Sequence, residues 1–146
     1  MDAQRQHLEH EEIPLDSQPN LQRLRDAMES IDKDRWISDT TVDQLKEGEL
    51  KELLPVIDSL VKPYKVATPL PPHDPRCHIY RFKRPKKVAP SDLDIIIPLQ
   101  ILGDTKPTLS AKDSTVELVL GNVYWIKELA LVQPDVVVLW VGSYRE

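Results

Sequence analysis

The sequence predicts an α+β protein, with an N-terminal helical segment of two or three helices packed on a small, mainly antiparallel C-terminal β-sheet. Three observations predict it. Apolar residues recur at steps of three and four up to residue 61, β-rich runs begin at residue 77, and between them four of the nine residues 67–75 are proline (Pro69, Pro71, Pro72, Pro75). A length of 146 residues suits one compact domain and is enough to bury a core.

Residues 1–18 are polar, acidic and without sustained apolar period, and read as a disordered tail. The helical region follows over 19–66. After Asn20, a suitable N-cap, Leu21, Leu24, Met28 and Ile31 fall on one stripe of a helix, with Arg23, Arg25, Asp26 and Glu29 opposite. Ser38, Asp39 and Thr40 then offer caps for a stretch in which Val42, Leu45, Leu50, Leu53, Leu54, Ile57, Leu60 and Val61 keep helical spacing. Gly48 and Pro55 interrupt it. Glycine costs about 1 kcal/mol and proline about 3 kcal/mol inside a helix relative to alanine, so the spacing predicts two short helices, near 40–47 and 50–62, or one helix kinked at Pro55.

The proline-rich connector, 67–76, favours an extended path. The β-rich region, 77–146, carries strand signals at 77–83, 93–102, 115–120, 123–126 and 136–141. Leu93, Ile95, Ile97, Leu99 and Ile101 share one face, and Pro98 within that run calls for an edge position or a bulge, since proline cannot donate to a ladder. Gly121-Asn122 suits a tight hairpin turn between two apolar runs. Residues 123–132 also admit a short helix, leading into a fully buried strand at 136–141.

Charge is unevenly distributed. Residues 1–66 hold nine Lys/Arg against fifteen Asp/Glu, and residues 67–146 hold ten against nine. The formal net charge of −5 disfavours a general nucleic-acid binder, whose domain is usually basic. Against that background the run Arg81-Phe82-Lys83-Arg84-Pro85-Lys86-Lys87 stands out. Its cations (Arg81, Lys83, Arg84, Lys86, Lys87) form a basic patch that resembles a short nuclear import signal; they also suit phosphate contact, with Tyr80 or Phe82 as a stacking face. The bland alternative is a solvated strand end whose lysines guard a sheet edge.

The remaining chemistry is sparse. Cys77 is the only cysteine, which excludes an intramolecular disulfide and fits a reducing compartment. His73 and His78 flank it, but in a strand Cys77 and His78 project to opposite faces. His7 and His10 are three apart, not the four that helical zinc motifs need. The four glycines are in no phosphate-cradling order. No cofactor or metal site is expected, and neither a secretory leader nor a membrane span is legible. Pro69-Leu70-Pro71-Pro72 meets the minimal spacing of proline-motif ligands and reads first as a rigid linker.

Ile101-Leu102-Gly103-Asp104-Thr105 resembles the first block of the GDSL, or SGNH, hydrolases, and the run 134–143 resembles the strand before that family's Gly-x-Asn-Asp block. The resemblance implies a nucleophile at 105, where this chain has threonine for serine. It departs again at Ser143-Tyr144, where the oxyanion-hole asparagine should fall, and no Asp-x-x-His segment follows in this sequence.

Taken together, the residues predict a non-enzymatic interaction subunit or adaptor of an intracellular assembly, in nucleus or cytoplasm, that binds another protein through Leu21, Leu24, Met28 and Ile31 and an exposed strand edge. The alternative is a nucleic-acid-associated protein touching phosphates through 81–87. A degenerate GDSL-like hydrolase comes third.

Overall fold

The most apolar run of the chain, Val136–Val141, is buried along its whole length because it lies in the middle of three layers. The computed structural model describes residues 8–38, 40–64, 77–90, 94–112 and 114–142. In chain order the elements are β1 (His10–Glu12), α1 (Gln18–Ser30), β2 (Trp36–Ser38), β3 (Val42–Leu45), α2 (Glu47–Val61), β4 (Cys77–Phe82), β5 (Lys86–Val88), β6 (Asp94–Ile101), β7 (Thr108–Ala111), β8 (Ser114–Glu117), β9 (Asn122–Ile126), β10 (Ala130–Val132) and β11 (Val136–Val141). The connector at 67–76, His7, Asp39, Leu93 and Ser143-Tyr144 lie outside the described residues.

These strands form a seven-stranded sheet, in the order β1-β9-β6-β11-β4-β3-β2, and a four-stranded sheet, β5-β10-β7-β8. Every pairing is antiparallel. Two apolar clusters separate the layers. One joins Leu21, Leu24 and Met28 of α1 and Ile57, Leu60 and Val61 of α2 to the odd-numbered face of the large sheet, including Ile79, Ile95, Ile97 and Leu139. The other joins the opposite face, with Phe82, Ile96, Tyr124 and Val138, to Leu109, Ala111 and Val132 of the small sheet. No helix among the described residues is long and apolar enough to cross a membrane.

This arrangement corrects the expected fold class. The protein is mostly β, and its helices do not precede a small C-terminal sheet. The chain between α1 and α2 is itself sheet: β2 pairs β3, and β3 pairs β4. A helix over 40–47 was expected because Val42 and Leu45 sit three apart, yet alternation describes the segment equally well. Asp43 and Leu45 face one side, and Val42 and Gln44 the other. Long-range pairing with β4 decides between the two periods.

The N-terminal region differs in the same way. His10–Glu12, expected within a disordered tail, adds an edge strand against β9, and Ile13 enters the core. Helix α1 starts at Gln18, with Pro19 in its first turn, so Asn20 is helical and not the cap. Helix α2 runs unbroken through Pro55, and residues 123–132 supply β9 and β10 with no helix.

Strand β6 is central, between β9 and β11. Its register against β11 shifts between Val137 and Val138, opposite Gln100 and Pro98, a bulge that accommodates the proline. The bulge also turns Ile101 to the other face: it packs in the second cluster, whereas Ile95, Ile97 and Leu99 lie in the first. The turn at Gly121, where φ is +94°, forms as expected, but its flanking strands do not pair. It carries the chain from β8 of the small sheet into β9 of the large one.

Tyr124 fastens this crossing. Its hydroxyl accepts from the Val119 amide (2.8 Å) and donates to the Glu117 carbonyl (2.7 Å). Tyr124→Phe deprives both backbone groups of their partner in a part-buried setting. The expected loss is about 1–3 kcal/mol in denaturant unfolding, and an unchanged midpoint would refute the fastening role.

Candidate functional site

The small sheet covers its face of the large sheet only in part. Where β9 and β6 are covered, the face presents Ile96, Tyr124 and Ile126. Over β3, β4 and the end of β11 it lines a cleft of about 510 Å³ instead. The floor there mixes Gln44, His78, Tyr80 and Trp140 with the apolar Val42 and Phe82, and the wall is the outermost strand of the small sheet with Lys86, Lys87, Val88 and Ala89.

Strand register makes the floor. Gln44 on β3 stands opposite Tyr80 on β4, and His78 stands opposite Trp140 on β11. Such cross-strand neighbours bring side chains within contact. The His78 and Tyr80 rings stack at 5.3 Å, and Tyr80 meets Trp140 edge-on at 6.3 Å. The Gln44 amide nitrogen lies 3.3 Å from Nδ1 of His78. Burial pushes the Tyr80 phenol above its ordinary pKa, so at neutral pH it keeps its proton and remains able to donate.

A carboxylate also lines the cleft. Asp94, the first residue of β6, is 1% exposed, and its Oδ2 accepts from the Trp140 indole Nε1 at 2.7 Å. Gly142 follows Trp140 by two residues, and a Cβ built on it would stand 3.2 Å from Asp94 Oδ1. Glycine therefore lets the chain pass close to the carboxylate without displacing it.

The basic patch does not act as a unit. Arg81 projects to the helix-side face, where it donates to the fully buried Asp43 from Nε at 2.9 Å and from Nη2, and lies over the Trp36 ring at 5.3 Å. Lys83 Nζ is 2.8 Å from the other oxygen of Asp43. Burial pushes the Asp43 carboxyl up, but hydrogen bonds from Lys83 and Arg81, the guanidinium charge and a hydrogen bond from Ser38 outweigh it and hold its pKa below the usual value. Arg81 and Lys83 thus pin β3 to β4. Arg84, Lys86 and Lys87 remain exposed and form no ion pair among the described residues; Lys86 and Lys87 border the cleft.

Of the stripe expected to meet a partner, Leu21, Leu24 and Met28 are buried in the chain's own core, and Ile31 packs against it half-buried. Cys77 lies buried in the helix-side core, on the face away from His78. His10 stacks on Tyr124 at 5.2 Å. Thr105, at the nucleophile position of the GDSL resemblance, closes a turn: its hydroxyl donates to the Leu102 carbonyl (2.9 Å) and accepts from the Asp135 amide (3.3 Å).

Sequence reasoning saw the two lysines and Tyr80 but not Gln44, Asp94 or Trp140 as their companions. One signal was present: Asp94 opens a largely apolar strand and Trp140 is the last residue but one of another, and a buried polar residue in such a run needs a partner. Which partner is a matter of register. The chain matches no protein-family model, curated protein or solved structure in comparison with known proteins.

Proposed function

We propose that the protein works by binding, as a non-enzymatic interaction subunit of an intracellular assembly, and that the cleft beside β5 is its recognition site. The observation that carries this reading is the change in character of one sheet face. Where the small sheet covers it, the face is largely aliphatic; at the cleft the part-buried Gln44, His78 and Tyr80 and the buried Trp140 and Asp94 join Val42 and Phe82. A concave site with a few convergent polar groups among rings is the form ligand sites take. The α1 stripe, by contrast, is engaged in the core, and Thr105 is engaged in a turn.

Ala89 is exposed on the cleft wall, so Ala89→Trp plugs the mouth without removing a buried contact. Native mass spectrometry of the protein isolated from its own cells should find a stoichiometric bound species on the parent and none on Ala89→Trp, with the two unfolding at the same temperature. Equal occupancy, or an empty parent, would overturn the reading.

A further inference from the structure

Resting on the cleft as recognition site, we propose that its occupant is an acidic segment of a partner protein, which seats one apolar side chain against Val42 and Val88 and sets its carboxylates against Arg84, Lys86 and Lys87.

Charge complementarity carries the choice of partner. The chain holds 24 Asp/Glu against 19 Lys/Arg, and several of its other cations have found an acid: Arg35 meets Glu49 at 2.8 Å, Lys112 meets Glu128 at 3.3 Å and Lys127 meets Glu9 at 2.7 Å. Despite that surplus of acid, Arg84, Lys86 and Lys87 stand exposed and close together in the chain, with no carboxylate partner among the described residues. Like charges so placed repel one another, and a partner bearing carboxylates relieves the repulsion.

The face beside these cations suits an apolar anchor. Val42 and Val88 line the cleft half-buried. Ile37, 55% exposed, stands opposite Gln44 in the β2–β3 register and so continues the same face one strand outward. The rings, by contrast, are engaged with one another: His78 stacks on Tyr80, Tyr80 meets Trp140 edge-on, and Trp140 is 8% exposed. That engagement leaves little ring face for a stacked base, and the net charge of −5 repels a polyanionic backbone, so a short run of carboxylates is favoured over a nucleic acid. Nor does the segment join as an added strand. Strand β5 is three residues long, carries two lysines and is flanked by Pro85 and Pro90, the devices that keep a sheet edge from accepting another strand. Contact is through side chains, and Asp94, buried and bonded to the Trp140 indole, takes no part.

The test is fluorescence anisotropy of labelled probes titrated with the full chain. The probes are a glutamate-rich peptide with one central leucine, the same peptide with serine for leucine, the same peptide with every glutamate replaced by glutamine, and a short single-stranded RNA. The leucine peptide should bind saturably, and more weakly as salt rises. The serine copy should bind at least about tenfold more weakly, and the glutamine copy not measurably. Lys86→Glu with Lys87→Glu, both exposed sites, should abolish binding of the leucine peptide while the melting temperature stays that of the parent; undiminished binding would overturn the inference. So would equal binding of the leucine and glutamine peptides, or tighter binding of the RNA, which would identify a nucleic-acid site. If the leucine peptide gives no saturable signal while Ala89→Trp still strips a native species from the protein, the acidic-partner inference fails and the cleft stands. If Ala89→Trp strips nothing, the cleft reading itself fails.

Discussion

Asp43→Asn should destabilise the protein by about 3 kcal/mol, the lower end of the range for removing one partner of a buried ion pair, and lower its melting temperature by roughly 10 °C. The carboxylate is fully buried, whereas Arg81 and Lys83 keep side-chain exposures of 31% and 36%. Water therefore softens the loss for the two cations but cannot remove their mutual repulsion, since asparagine carries no counter-charge between them. The effect has a pH signature. The Asp43 pKa is held below the ordinary carboxylate value in the folded state, so the folded protein binds the proton less readily than the unfolded chain. The stabilisation is complete above about pH 4, the ordinary aspartate pKa, and disappears as pH falls through the folded value. The parent should lose stability below about pH 4 more steeply than Asp43→Asn does. Denaturant midpoints across that window measure the difference, and parallel curves would refute a charged role for Asp43. The substitution also reaches the cleft: Asp43 holds β3 against β4, and β3 carries Gln44 into the floor.

What the sequence made legible follows from how far apart the deciding residues lie. The two helices and the strands near 77–83, 93–102, 123–126 and 136–141 were readable because each buries enough apolar surface on its own face to impose a period. Strands β1, β2, β3, β5, β7 and β10 are three or four residues long, too short for periodicity, and exist because a neighbouring strand offers a ladder. For β3 the neighbour is β4, whose Arg81 lies 38 positions from its partner Asp43. The fold class was misjudged at this point, since one strand pair moved from helix to sheet places sheet between the helices and extends the large sheet beyond β4. The site was half legible for the same reason. Local composition revealed Lys86 and Lys87; only the register of β4, β11 and β6 places Tyr80, Trp140 and Asp94 beside them, and Trp140 reaches Asp94 across 46 positions. The patch of five cations is likewise two groups. Strand alternation sends Arg81 to the helix-side face, Lys83 reaches the same buried carboxylate, and only the residues beyond remain available to a ligand.

Leu24→Ala should cost about 2–5 kcal/mol. Leu24 is fully buried, on the stripe shared with Leu21 and Met28, and the cluster around it includes Ile57 and Leu60 of α2 and Ile95 and Ile97 of β6. The spread reflects how far α1 can settle into the space left behind. A neighbouring exposed position on the same helix serves as control: Arg23→Ala removes no buried surface and should stay within about 0.5 kcal/mol of the parent. The pair of substitutions distinguishes the two uses of an amphipathic helix. A stripe that docks on its own sheet gives a large loss in the isolated chain at every protein concentration. A stripe that docks on a partner leaves the isolated chain's stability unchanged by Leu24→Ala and makes the parent's stability rise with added partner or with its own concentration. Burial of Leu21, Leu24 and Met28 predicts the first outcome, measured as a concentration-independent drop in the denaturant midpoint with an unchanged slope.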